Sequence, residues 1–179
     1  MGSYALFDSP IGTLLVATTS NGVCALQFLK DEEKQLAALK RRLQQPFELD
    51  ASLVREFSRY VRWFVEGQRV VGSWSLDLRG VGAFRQMVYE KLRSVGWGKV
   101  TTYGDLARAV GSPKAARAVG QALAHNPIIL LVPCHRVVSA DGSLGGFTAG
   151  VDMKRRLLEA EGVEVVRYRV PLRRYRVRL

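Results

Sequence analysis

The hydrophobic pattern changes period near Asp31, and that switch limits what this 179-residue chain can fold into more than any other feature. Before it, the chain has the character of strands. Tyr4-Ala5-Leu6-Phe7 runs into the turn signal Asp8-Ser9-Pro10-Ile11-Gly12, Thr13 to Thr18 follows, and Val23 to Phe28 returns after Ser20-Asn21-Gly22. Asn-Gly between two β-rich runs marks a hairpin, because both residues tolerate the positive φ of a two-residue turn. Cys24, inside the return strand, is expected to be a small buried hydrophobe. From Asp31 to Gln44, Leu36, Leu39 and Leu43 recur at helical spacing among charged residues until Pro46. A second helix, about Ala51 to Glu66, gathers Leu53, Val54, Phe57, Tyr60, Val61 and Phe64 on one face, and Gly67 stops it.

Trp74 to Leu78 suggests a short strand, and Gly80-Val81-Gly82 is the best domain boundary. The second half is mostly helical. Ala83 to Val95 carries the stripe Phe84, Val88, Leu92, Val95 and breaks at Gly96-Trp97-Gly98. Thr101 to Val110 forms a short helix. Gly111-Ser112 makes a tight turn, with Ser112 as N-cap and Pro113 opening a basic, Ala-rich helix to about His125. Helix, Gly-containing turn, helix is a helix-turn-helix pattern, which an ordinary helical hairpin also satisfies.

Charge points to a polyanionic partner. Lys and Arg number 27 against 16 Asp and Glu, a net charge of +11, and each basic contact to a phosphate releases a counterion. Part of the excess lies near the C-terminus, in Arg167, Arg169, Arg173, Arg174, Arg176 and Arg178. Two cysteines and two histidines are too few for a disulfide framework or a four-thiolate zinc site. Neither a signal peptide nor a membrane span is visible, so a reducing cytoplasm is the expected compartment.

The chemistry gathers around Val132-Pro133-Cys134-His135-Arg136-Val137. Ile128 to Val132 is a continuous apolar run, expected to be a buried strand that Pro133 terminates. Cys134 then stands on stiff backbone, with a base and a cation in the next two positions to favour the thiolate. Neighbouring residues of an extended segment point to opposite faces, so Cys134 and His135 need a turn or a bridging water to communicate. A buried structural Cys beside a satisfied His is the competing reading. The Gly-rich stretch Asp141 to Gly150 suits a wall where a flat ligand meets backbone closely, or a plain surface loop. Val151 to Glu161 is a helix capped by Gly162. A carboxylate in its last turn is unfavourable against the helix dipole unless a partner compensates. His135 is the candidate partner, and an exposed Glu161 is the alternative.

Pro133-Cys134-His135-Arg136-Val137-Val138 resembles the signature of the O6-alkylguanine-DNA alkyltransferases, also called methylated-DNA–protein-cysteine methyltransferases. The resemblance extends in order and spacing through Thr102-Tyr103-Gly104-Asp105-Leu106-Ala107, Pro113 to Gly120, Asn126-Pro127, Gly145-Gly146-Phe147 and Leu157 to Gly162. It is strong from Phe84 to Gly162 and weak before, mainly through Asp8 to Gly12. It implies an α+β chain with a small mixed α/β, ribonuclease-H-like domain over 1–80. A winged helix-turn-helix domain carrying DNA binding and the active site would span 83–165, leaving a basic C-terminal tail over 166–179.

The implied activity is direct, stoichiometric and irreversible transfer of an alkyl group from O6-alkylguanine in double-stranded DNA to Cys134. The chain would act as a monomeric, single-turnover transferase at the minor groove, in the cytoplasm or nucleoid, with O4-alkylthymine left open and no cofactor or metal. His135 and Glu161 would keep Cys134 a thiolate through a water. Tyr103 would crowd a phosphate and protonate guanine N3, and Asn126 would brace the turn before the active site. The resemblance puts Thr102, Tyr103, Lys114, Arg117 and Ala118 against DNA, with Arg117 as the finger that replaces the flipped base. Val137, Phe147 and Thr148 would line the guanine pocket, with the Cys134 and Val137 carbonyls receiving the exocyclic amine.

Three departures stand out. Gly96 replaces a common Pro, Phe147 replaces a Tyr of some members, and no zinc ligand set exists in the first half. A binding-only relative is disfavoured because Cys134 is present. A thiol hydrolase leaves the helix-turn-helix unexplained, and a transcription regulator of this kind would need an additional Cys-rich sensor domain.

Overall fold

The computed structural model describes residues 1–69 and 74–179. The first half is built on a four-stranded sheet in the order β3-β2-β1-β4, from β1 (Gly2–Ser9), β2 (Gly12–Thr19), β3 (Gly22–Phe28) and β4 (Phe47–Leu49). β1, β2 and β3 form an antiparallel meander, and β4 joins β1 in parallel. Leu14, Leu15, Val16 and Ala17 are all buried, so β2 has no wet face. Such continuous burial requires cover on both sides. Helix α1 (Glu32–Leu43) covers one, packing Leu39 and Leu43 on Leu15, Ala17, Cys24 and Ala25. Its N-cap is Asp31, whose carboxylate accepts the Lys34 N–H at 3.0 Å.

Helix α2 (Ser52–Val65) covers the other face with Phe57, Tyr60, Val61 and Phe64. Each such side chain contributes about 1.5–3 kcal/mol on burial. The same helix reaches into the second half, where the Phe64 ring meets Trp97 at 5.0 Å and His135 at 5.5 Å between centroids. One hydrophobic core therefore runs through both halves.

The second half contains α3 (Ala83–Leu92), β5 (Thr101–Thr102), α4 (Tyr103–Ala109), α5 (Ala116–Ala124), a 3-10 turn at Cys134–Arg136, β6 (Val137–Val138), α6 (Val151–Ala160) and α7 (Leu172–Tyr175). α3 and α5 pack through Val88, Tyr89, Val119 and Ala122, and the Tyr89 hydroxyl donates to the Ala122 carbonyl at 2.7 Å.

Several segments differ from the expectation. The run Ile128–Val132 is not a strand. Ile129 N–H donates to the Leu26 carbonyl, Leu26 N–H donates to Pro127, and then the chain coils back, Val132 N–H reaching Ile128 at 2.9 Å. Leu130 adopts a left-handed φ of 67°, which ends any extended run. Trp74–Leu78 makes only an isolated bridge at Leu76 to Val23, because the Asp77 carboxylate accepts the Arg79 backbone N–H and turns the chain. Ser112 does not cap a helix. Its carbonyl closes a turn on Ala115 N–H at 2.8 Å, and α5 begins only at Ala116, leaving Lys114 in the turn.

The last segment, 166–179, is docked rather than a loose tail: Val170 and Tyr175 are buried with Val100, Val138, Leu144, Leu158 and Val163.

Gly22 shows how tightly the hairpin is tied to the rest. Its φ is +128°, and a Cβ there would meet the Ser75 carbonyl oxygen. Gly22→Ala is expected to lower stability by roughly 2–3 kcal/mol, measured as a lower urea midpoint at unchanged m-value.

Candidate active site

The 3-10 turn decides where the reactive side chains point. Arg136 N–H donates to the Pro133 carbonyl at 2.9 Å, and Val137 N–H donates to the Cys134 carbonyl. At three residues per turn, successive side chains diverge by about 120°. Cys134 faces a cavity of about 460 Å³ that Asn126, Phe147 and Thr148 also line. His135 and Arg136 turn inward instead, toward Glu161.

Glu161 caps the C-terminus of α6 and is 4% exposed. His135 Nε2 lies 2.8 Å from its Oε1. Arg136 Nε and Nη2 donate to it at 2.8–3.0 Å, and Gly98 N–H donates at 3.0 Å. Burial pushes this carboxyl up, but His135 and Arg136 outweigh it and hold the group below its ordinary range. The dipole objection to a carboxylate here is thus met by two side chains and a backbone donor. Arg136, expected to act as the cation beside the thiol, is committed to Glu161 and to the Val95 carbonyl.

Burial also pushes His135 down, so its imidazole is neutral at pH 7. With Nε2–H donated to the carboxylate, Nδ1 carries the free lone pair. Nδ1 has no hydrogen-bond partner among the described residues, although it is buried.

Burial raises the Cys134 thiol above its ordinary value, while Asn126 and the Lys154 ammonium pull it down. Cys134 is therefore a thiol at rest. Asn126 braces the preceding coil: its Nδ2 donates to the Val132 carbonyl at 2.9 Å and its Oδ1 accepts the Ile128 N–H at 3.0 Å.

The side chains expected at DNA divide. Lys114, Arg117 and Ala118 are exposed, on the turn and on α5. Tyr103 opens α4 and is half-buried between Gly120 and Gly145, where added Cβ atoms would stand 3.8 and 3.1 Å from its ring and hydroxyl. Thr102 departs from the expectation: it is 1% exposed, and its hydroxyl caps α4 by accepting Asp105 N–H at 3.1 Å and donating to the Asp105 carboxylate at 2.7 Å. A side chain so committed does not face a ligand. The Val137 side chain is buried, and its carbonyl already receives Lys154 Nζ at 2.7 Å. One carbonyl lone pair remains for a further donor.

Lys154 is the residue that sequence reasoning missed. It is fully buried, and its ammonium donates to the carbonyls of Val137, Leu144 and Gly146. Burial lowers it to about 8. The signal was present: Lys154, Leu157, Leu158 and Glu161 are spaced i, i+3, i+4, i+7. Two charged residues inside an inward stripe call for buried partners.

Comparison with known proteins bears on the chemistry. The family described as "6-O-methylguanine DNA methyltransferase, ribonuclease-like domain" matches residues 3–78. Its companion, "6-O-methylguanine DNA methyltransferase, DNA binding domain", matches residues 83–163. A methylated-DNA–protein-cysteine methyltransferase of Sulfolobus acidocaldarius is 35% identical over 162 residues, covering 90% of this chain and 94% of the relative. One from Metallosphaera sedula is 39% identical over 160 residues, covering 89% and 92%. The crystal structure of Mycobacterium tuberculosis OGT in complex with DNA is 35% identical at a TM-score of 0.71, covering 89% of this chain and 92% of that one. S. pombe Atl1 in complex with damaged DNA containing O6-carboxymethylguanine is 38% identical at a TM-score of 0.50, covering 54% of this chain and 95% of that one. The expected α+β organisation, a ribonuclease-like half followed by a DNA-binding half, agrees with these matches.

Lys154→Met would fill the same space but leave its three carbonyls without a donor. The expected cost is about 2–4 kcal/mol, read as a lower urea midpoint. Faster amide exchange at Leu144 and Gly146 should accompany it, because the ammonium holds that loop to α6.

Proposed function

This chain belongs to the methylated-DNA–protein-cysteine methyltransferase family, and from that premise we propose that Cys134 Sγ is the alkyl acceptor and O6-alkylguanine in duplex DNA the substrate. As in that family, the chain binds DNA and repairs it by transferring an alkyl group to one of its own cysteines. The observation that carries the assignment is the neutral His135, clamped by Glu161 and left with an unpaired Nδ1, next in the chain to a thiol that lines a cavity.

The exposed face of α5 enters the minor groove with Arg117, Ala118 and the neighbouring Lys114. Arg117 makes no ion pair among the described residues, so its guanidinium is available to fill the stack when the damaged guanine rotates out. Rotation is required because a buried thiol cannot reach O6 inside a duplex. The base enters the cavity between Phe147, Thr148 and the Val137 carbonyl. His135 Nδ1 takes the Cys134 proton through a bridging water, and Glu161 stabilises the imidazolium formed. The sulfur then forms a bond to the alkyl carbon as the carbon–O6 bond breaks, and the electron pair passes to the guanine. Tyr103, whose pKa burial raises, remains protonated and delivers its proton to guanine N3. Asn126 keeps the coil before Pro133 in register. The product thioether is not readily hydrolysed, so each molecule acts once.

Thiol, base and helix pair all come from one chain, so a monomer suffices. No helix among the described residues is long and apolar enough to cross a membrane. The cytoplasm, at the nucleoid in a prokaryote, supplies both DNA and reducing conditions.

Mass spectrometry after incubation with duplex containing O6-methylguanine should find one methyl group, on the Cys134 peptide, and none with Cys134→Ala. A methyl elsewhere, or none on intact protein, overturns the assignment. Arg117→Ala should slow repair of duplex about 10- to 100-fold and leave reaction with free O6-benzylguanine nearly unchanged. Equal losses on both would remove its role in flipping.

The pKa directions also shape the pH profile. His135 is displaced downward, so transfer should stay flat through neutral pH and fall only as the imidazole takes a proton on the acid side. With His135→Gln, transfer should depend on free thiolate and climb about tenfold per pH unit toward the raised thiol pKa. A variant with the flat wild-type profile would show that His135 is not the base.

A further inference from the structure

We propose that Arg176 is a positioning residue for Tyr103, and that the C-terminal segment, which extends past the 83–163 family match, is a strap holding the DNA-contacting helix pair. This inference rests on the reading of Tyr103 as a DNA contact.

The strap grips the chain on both sides of Tyr103. On the N-terminal side, Val100 N–H donates to the Tyr175 carbonyl at 3.0 Å and Val177 N–H donates to the Val100 carbonyl at 2.7 Å. On the C-terminal side, Arg176 Nε and Nη2 reach the two Asp105 oxygens at 2.7 and 2.8 Å. The Asp105 side chain is 2% exposed and that of Arg176 26% exposed, so the pair is largely desolvated. A two-point guanidinium–carboxylate contact fixes orientation as well as distance. Asp105 is also the partner of the Thr102 hydroxyl that caps α4. Arg108, on α4 itself, also donates to the Asp105 Oδ1 at 2.5 Å, so Arg176 is the partner that ties this carboxylate to the strap; the carboxylate holds the cap, and the cap sets the helix whose first residue is Tyr103.

The opposite wall is held by the same segment. Leu144 N–H donates to the Tyr168 carbonyl at 3.0 Å, and Val170 N–H donates to Gly142 at 2.9 Å. Gly145, beside Leu144, lies against the Tyr103 hydroxyl. One short stretch of chain therefore sets both surfaces between which the phenol stands.

The competing reading is an Arg-rich tail that contacts phosphates. Arg169, Arg174 and Arg176 are instead already paired with Asp141, Glu164 and Asp105, which leaves that reading to Arg167, Arg173 and Arg178 and takes Arg176 out of it.

The test compares Arg176→Ala and Arg176→Lys in the full chain. Four quantities are measured: methyl transfer from O6-methylguanine duplex at saturating DNA, transfer from free O6-benzylguanine, the salt dependence of duplex binding, and melting temperature. Arg176→Ala should slow saturated duplex transfer about tenfold or more, since small misplacements of positioned groups carry such losses. Arg176→Lys should recover part of it. The O6-benzylguanine rate should fall less than the duplex rate, because the free base needs Tyr103 only for the N3 proton, and the salt slope should be unchanged, because no phosphate contact is lost. A slope reduced by about one contact, at an unchanged saturated rate, would make Arg176 a phosphate ligand and overturn the proposal. Parallel losses on both substrates that track melting temperature would make the strap mere scaffold and overturn it too. If wild-type protein transfers nothing from either substrate, the acceptor assignment itself fails; an active wild type indifferent to Arg176 sinks only the strap.

Discussion

The Glu161 carboxylate is the charge around which the second half is arranged. It ends α6, where the helix dipole opposes it, and it lies out of water, where an unpaired carboxylate would be very costly. Two separate pieces of chain converge to neutralise it: the 3-10 turn through His135 and Arg136, and the Gly96–Gly98 loop through the Gly98 amide. Removing any donor leaves a buried ion less than satisfied, so the geometry of the turn and the charge state of the site are one constraint. That constraint orients the imidazole, fixes its tautomer and, because the turn fans its side chains, leaves Cys134 alone facing the cavity.

Burial around the thiol works in two directions. It raises the thiol and lowers the imidazole, so the resting pair is neutral and the sulfur is protected from adventitious electrophiles. Lys154 shifts the balance toward the thiolate without touching it. Its ammonium is anchored by carbonyls from β6 and the glycine-rich loop, giving a fixed positive charge whose field lowers the thiol pKa. The nucleophile is thus formed when a base and an electrophile are both in place, which suits a protein able to react only once.

The sheet, both helices of the first half and the helix pair of the second were legible because each rests on hydrophobic period and local turn chemistry. β2 and β3 follow from Asn21-Gly22, and α1 from Asp31 and its leucines. The failures share a cause. Ile128–Val132 has strand composition, yet the left-handed Leu130 breaks it, and no side-chain pattern announces that conformation in a leucine. Ser112-Pro113 has the letters of a helix start, but the Ser112 carbonyl is used to close a turn. Thr102 lies in the motif expected at DNA, while its own hydroxyl is spent on a cap. At the site, the pairing of His135 with Glu161 was readable as a need for compensation. The roles of Arg136 and Lys154 depend on long-range packing, although Lys154 within an apolar stripe carried a sign of it.

That long-range packing gives the first half a part in the chemistry. Phe64, on α2, sets its ring edge-on against His135 and stacks in the same manner on Trp97, whose neighbour Gly98 donates to Glu161. An apolar ring at this place withholds water from the imidazole, and withheld water is the leading cause of its lowered pKa. The sheet exists to hold α2, and α2 in turn closes the back of the site. The ribonuclease-like half therefore reaches the site through desolvation, keeping the His135 imidazole uncharged, while the charges that balance it come wholly from the second half.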